Sequence, residues 1–274
     1  MQSLASVGRS LFLKAVPART AQRLQFALKE PSRSRGIRWT GDETKDSILR
    51  RVDRDGFAVV PGYLTAAQCA QARADFDTAR LTHSAFVHRR EDERLFGMEN
   101  VSPIARRFID DPLWIELADA YSGEANCSLF VMANRVVPRG EPYGSGGGWH
   151  RDCFARELKA MVYLTDVRED NGPFQIIRRS HGSEAILSDI GRAGLRALQN
   201  RIDDDQAHRL AAGGRQRTIC AHAGTAIVFD TSSVHCGAPI AAGQRYALTN
   251  YLCASRHMAR RRTLEHYAPL LATA

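Results

Sequence analysis

The 274-residue chain has no apolar run near the roughly 18 consecutive residues that a membrane-spanning helix requires. The expectation is therefore a soluble protein. A secretory signal is missing as well, because the apolar stretch around Leu11-Phe12-Leu13 is too short. None of the six cysteines (Cys69, Cys127, Cys153, Cys220, Cys236, Cys253) forms a C-x-x-C pair, which excludes a zinc ribbon or a thioredoxin-type motif. Reduced thiols in a cytoplasmic protein are the expectation. Internal repeats and low-complexity tracts are absent too, so a solenoid is excluded. Acidic residues are scarce only at the start: residues 1–45 hold nine Lys/Arg against three Asp/Glu, so +6 of the total charge of +8 sits there and the body is nearly neutral. A nearly neutral body argues against nucleic acid as a partner.

What is present divides the chain into a basic N-terminal extension and linker over 1–45 and a body over 46–274. Within residues 1–30, Leu4, Val7, Leu11, Phe12, Leu24 and Leu28 alternate with Arg9, Lys14, Arg19, Arg23 and Lys29, interrupted by Pro17. This is the pattern of a short basic amphipathic helix, with organellar targeting or membrane-surface association as readings beside that of a plain extension. In the body, helical periodicity over 45–55 leads into a β-branched strand from Gly56 to Leu64, and Thr65 caps an alanine-rich helix reaching about Leu81. Residues 82–100, with His83, His88, Arg89 and Arg90, read as a solvated loop or lid. A second helical stretch, 103–122, carries a break at Asp111-Pro112. From Asn126 the texture changes to short strands and glycine-rich turns: 128–137, 158–167, 174–178, 217–221, 225–230 and 245–253. Such a series is an all-β sandwich or barrel, interrupted by a helix-prone insert over 183–212. Asp203-Asp204-Asp205 in that insert reads as a solvated face or helix cap and not as a metal cluster.

The stretch with the most chemical content is Gly146-Gly147-Gly148-Trp149-His150-Arg151-Asp152. On a strand, His150 and Asp152 project from one face, because side chains alternate. A second imidazole, with His235 as the candidate, would complete a facial site of two nitrogens and one carboxylate, the donor set of a non-haem Fe(II) centre with open positions. Arg245, ten residues on, heads a strand. Its planar fork could clamp a distal carboxylate through two charge-assisted bonds.

In order and spacing these segments resemble the phytanoyl-CoA dioxygenase family of Fe(II)/2-oxoglutarate oxygenases, which includes ectoine hydroxylases. The resemblance runs from about Val52 to Leu252. It rests on Arg54-Asp55-Gly56-Phe57 through Thr65, on Gly148 to Asp152, on Glu169-Asp170-Asn171-Gly172-Pro173-Phe174 with Ser180-His181, on Gly224 to Asp230, and on His235 and Arg245. It implies a mainly β fold with flanking helices, a double-stranded β-helix (jelly roll, cupin-like). It also implies His150, Asp152 and His235 as iron ligands, Arg245 on the distal carboxylate of 2-oxoglutarate, and Asn134 as a further co-substrate contact. Ser180 and His181 are structural in this reading. The sequence departs from the family where Arg178-Arg179 precedes Ser180, and where Cys236 and Gly237 follow His235.

The implied activity is hydroxylation of a small molecule at an unactivated C–H bond, with O2 and 2-oxoglutarate consumed and succinate and CO2 released. Asp152 argues against halogenation, in which halide takes the place of the carboxylate. Arg178, Arg179 and His88 are candidates for contact with an anionic substrate. Two readings from other classes stand beside this one: a non-enzymatic jelly-roll ligand-binding protein, and a membrane-surface adaptor acting through the basic N-terminus.

Overall fold

The structure is a computed structural model and describes residues 35–82, 86–88, 90–196 and 198–258. The basic segment over 1–30 lies outside the described residues. Asp42 caps α1 (Glu43–Asp55) by accepting from the backbone N–H groups of Thr44 and Lys45, and Gly56, at φ +90°, ends it. After β1 (Phe57–Val60), Thr65 and Gln68 exchange side chain to backbone hydrogen bonds at the start of α2 (Ala66–Thr82), a capping box. The break at Asp111-Pro112 separates α3 (Pro103–Asp110) from α4 (Pro112–Ser122). Each has proline in its first turn and a capping side chain before it, Ser102 and Asp111 respectively.

The stretch read as a solvated loop is in part ordered sheet. It forms β2 (Phe86–His88) and β3 (Glu93–Phe96), with Leu95, Phe96 and Met98 buried. The charges that suggested solvent are instead paired within the protein: Arg94 with Asp92, and Arg135 and Arg139 with Glu93. The remaining strands are β4 (Asn126–Val136), β5 (Leu158–Tyr163), β6 (Phe174–Ile177), β7 (Gln216–Ile219), β8 (Ala226–Asp230), β9 (His235–Gly237) and β10 (Arg245–Ala254). The insert forms α5 (Ser183–Ala193) and α6 (Asp204–Ala211), and Asp203 makes a capping box with Gln206, as its sequence indicates.

Among the described residues, ten strands build two antiparallel sheets, ordered β1-β8-β5-β10-β4-β3-β2 and β7-β6-β9. This is the double-stranded β-helix. Every residue of β5 is buried, because the large sheet is covered on both faces. Ala160 and Val162 face outward with Val131, Ala133, Val228 and Leu248, against Leu49 and Val52 of α1, Phe76 of α2 and Trp114 of α4. Met161 and Tyr163 face inward with Ile227, Phe229 and Ala247, against Phe174, Ile176 and Ile219 of the small sheet. Alternation thus assigns each strand one wall for the helices and one for the interior of the jelly roll.

Arg151, only 1% exposed, fastens the interior together. Its guanidinium donates to the carbonyls of Ser180, after β6, and Ser232, before β9, and forms a 2.7 Å ion pair with the fully buried Asp189 of α5. Removing one member of such a pair strands the other charge away from water, a loss of about 3–5 kcal/mol. Urea unfolding of Arg151→Met should show a destabilisation of that order, and Arg151→Met with Asp189→Leu should recover much of it. Equal stability of the single variant and the parent would contradict the assignment.

Candidate metal centre

Three successive glycines, Gly146, Gly147 and Gly148, take positive φ of 96°, 66° and 90° and turn the chain into the interior ahead of His150. A Cβ on Gly146 would lie 2.8 Å from Cε1 of His150, so the turn and the imidazole fit only without a side chain there. His150 then meets β9. Its N–H donates to the carbonyl of His235 at 2.9 Å, and the N–H of His235 donates back at 2.9 Å. This reciprocal pair sets the two rings side by side, with centroids 4.4 Å apart. Asp152, held by its N–H to the Thr231 carbonyl at 2.9 Å, projects toward the same point.

The second ring nitrogens fix the chemistry of the first. Nδ1 of His150 lies 2.8 Å from the Gly148 carbonyl and Nδ1 of His235 lies 2.8 Å from the Ser233 carbonyl. A carbonyl only accepts, so each Nδ1 carries the proton and each Nε2 presents a lone pair. Those Nε2 atoms lie 3.6 Å and 3.4 Å from the two oxygens of Asp152, and one ligand atom from each residue falls within 4.8 Å of the others. Among the described residues, no other His, Cys, Asp and Glu side chains converge in this way.

Burial and the neighbouring His235 push the His150 pKa down, which favours the neutral ring that a metal needs. Burial would raise the pKa of Asp152, but Lys159 and the two imidazoles outweigh it and hold the carboxylate well below its usual range. Thiols do not compete for the site. Burial pushes Cys236 up to about 12, and burial, with Glu157 nearby, holds Cys153 well above an ordinary thiol. The donor set is therefore two imidazole nitrogens and one carboxylate, which suits Fe(II) and leaves coordination positions open.

A cavity of about 220 Å³ opens from this triad into the jelly roll. Arg245 lines it and is 3% exposed. It donates to the Gly172 carbonyl, yet its buried Nε has no partner among the described residues. A buried guanidinium with an unused donor in the wall of a cavity is built to receive an anion. Asn134 also lines the cavity, its amide donating to Ser145 at 3.0 Å and Asp92 at 3.3 Å.

The residues expected to contact an anionic substrate are placed elsewhere. Arg178 makes a 2.7 Å ion pair with Asp55, Arg179 lies 3.7 Å from the same carboxylate, and neither lines the cavity. Arg179 takes φ +58°, so the turn before Ser180 keeps a left-handed residue even without glycine. The contact to Asp55 at the end of α1 turns this pair away from the mouth. The side chain of His88 lies outside the described residues. His181 bonds the Asp53 carbonyl at 2.9 Å, as its structural reading requires.

Sequence reasoning missed Lys159, whose ammonium lies 2.9 Å from Asp152, and Arg201, which lines the mouth and donates to the Gly146 carbonyl. A signal for the first existed: Lys159 is the one charged residue of the strand Leu158–Tyr163.

Comparison with known proteins agrees with this geometry. At 25% identity over 215 residues, covering 68% of each chain, the protein resembles the ectoine dioxygenases of Bordetella parapertussis and Bordetella bronchiseptica. At 25% over 172 residues, 55% of this chain and 63% of the relative, it resembles the L-proline trans-4-hydroxylase of Streptomyces griseoviridis. Its fold matches the crystal structure of EctD from S. alaskensis with 2-oxoglutarate and 5-hydroxyectoine (TM-score 0.62, 19% identity, 80% of each chain). It also matches SnoK, the non-heme alpha ketoglutarate dependent carbocyclase from nogalamycin biosynthesis (TM-score 0.58, 16% identity, 80% of this chain and 88% of that one). The sequence profile of the family described as Phytanoyl-CoA dioxygenase (PhyH) matches residues 52–246, and the chain belongs to that family of Fe(II)/2-oxoglutarate oxygenases.

Proposed function

We propose that the protein hydroxylates a small anionic molecule at an unactivated C–H bond, with 2-oxoglutarate and O2 consumed and succinate and CO2 released. The observation that carries this reading is the pairing of two free Nε2 lone pairs and a carboxylate with Arg245, which lines the same cavity and keeps an unused donor. His150, Asp152 and His235 would hold the ferrous ion, and Arg245 would receive the distal carboxylate of 2-oxoglutarate. Bound iron and its co-substrate supply the activation of dioxygen, coupled to oxidative decarboxylation. The protein's own part is placement and exclusion of water. Phe174 and Phe229 pack on His235, with centroids 5.5 Å and 5.1 Å away, and screen the ligand ring from solvent. With iron bound, Asp152 would occupy the place that a halide needs, which favours oxygen transfer.

Charge supports an anionic substrate. A ferrous ion and the 2-oxoglutarate dianion cancel, as do Lys159 with Asp152 and Arg94 with Asp92. Of the remaining charged residues that line the cavity, Arg201 and Arg245 stand against Glu91 alone. One positive charge is left over, and Arg201 at the mouth is the place for it to meet a carboxylate or phosphate.

Anaerobic titration of the apoprotein with Fe(II) and 2-oxoglutarate tests the reading. The chelate should produce a weak visible charge-transfer band that is lost in His150→Ala and His235→Ala. In Arg245→Lys the band should require roughly 10- to 100-fold more 2-oxoglutarate, the value of a charge-assisted fork. Anionic candidates should then stimulate succinate release and gain one oxygen atom. A product lighter by two hydrogens would point to desaturation or ring closure, and a parent that retains no iron would move the reading to non-enzymatic ligand binding.

A further inference from the structure

A lysine on the interior face of the jelly roll needs a reason. β5 alternates, and its inward positions are Lys159, Met161 and Tyr163, the last two packed in the apolar interior. Lys159 is 9% exposed, and its ammonium lies 2.9 Å from Oδ2 of Asp152. Tyr251, its partner in register on β10, puts its ring 3.9 Å beneath the ammonium. Opposing surfaces therefore aim one cation at one oxygen of the carboxylate in the triad.

We propose that Lys159 is a positioning residue that holds Asp152 as a one-oxygen ligand, by occupying Oδ2 and leaving Oδ1 for the metal. The inference rests on the function proposed above. A carboxylate free at both oxygens can chelate a divalent ion and take up one of the positions that the co-substrate needs. The ammonium on Oδ2 prevents this by geometry, and its charge weakens the attraction of the carboxylate for the ion. Lys159 thus trades metal affinity for an open face. Lys159 sits seven positions after Asp152, on β5 and inside the span that the family profile matches.

The test is calorimetric titration of the full-length apoprotein with Co(II), a redox-quiet stand-in for Fe(II), and then with 2-oxoglutarate. In Lys159→Met, Co(II) should bind about tenfold more tightly and 2-oxoglutarate about tenfold more weakly, with a changed visible spectrum of the bound Co(II). Lys159→Arg, which restores a cationic donor, should return both constants toward the parent. Movement in opposite directions is the signature, because general loosening of the site weakens both together. If both constants in Lys159→Met match the parent, or both weaken, the inference is overturned while the function proposed above stands. If the parent takes up no Co(II), that function fails first. Lys159→Gln carries the same test should the methionine variant not fold.

Discussion

Two hydrogen bonds, His150 N–H to the His235 carbonyl and the reverse, are the contact on which the rest of the structure depends. Eighty-five positions of chain separate these residues, and the loop entropy of closing that interval is offset only because the jelly roll fixes His235 in β9 and brings the bridging residue His150 beside it. Once the bridge forms, little freedom remains. The rings lie side by side, their Nδ1 protons are taken by carbonyls two residues back, and both Nε2 atoms point at Asp152. The carbonyls that orient the rings belong to the same two segments that make the bridge. Ligand geometry is therefore a property of the backbone, and the side chains inherit it.

The second constraint is parity. In a sheet covered on both faces, an odd or even position decides whether a residue packs on helices or enters the interior. On β10, Arg245, Ala247, Thr249 and Tyr251 share the inner face, and Arg245, Thr249 and Tyr251 line the cavity. On β4 the inner face supplies Met132 and Asn134, while Val131 and Ala133 meet the helices. A register slip by one residue on β10 would exchange Arg245 for the apolar Tyr246 environment and abolish the co-substrate end of the site. The bulge in the β10 and β4 pairing falls between Tyr251 and Leu252, beyond the last cavity residue, where it does no harm.

Much of this could be read from the sequence, and for identifiable reasons. The Thr65 cap and the break at Asp111-Pro112 are local and left a local signal. His150, Asp152 and His235 carried the resemblance, and the fold brings them together. The errors fall where long-range pairing overrides local texture. Glu93 looked solvated because its partners, Arg135 on β4 and Arg139 just beyond that strand, lie some forty residues away. Arg178 and Arg179 looked like part of the mouth because they follow a family motif, yet Asp55, which captures them, is over one hundred residues earlier. Sequence order cannot show which of several arginines finds a carboxylate first. It also gave no notice of Arg201, which reaches the mouth only through the fold of the insert.

The cavity wall holds its charges in an unequal balance, and that inequality has a thermodynamic direction. Lys159 and Asp152 satisfy each other, as do Arg94 and Asp92, but Arg245 is buried with only a carbonyl for company. Burial accordingly lowers the pKa of its guanidinium, with Tyr163 and Asp92 offsetting part of the effect. A buried cation without a counter-ion disfavours the folded state, and an anion bound beside it removes that penalty. The apolar walls that raise the penalty also strengthen the contact when the anion arrives, because the local dielectric is low. A co-substrate with a carboxylate at each end is then drawn toward two sites at once, the open face of the metal and the Arg245 fork. Whatever binds the native state alone stabilises it by mass action, so an anion held by Arg245 would add to the stability of the fold.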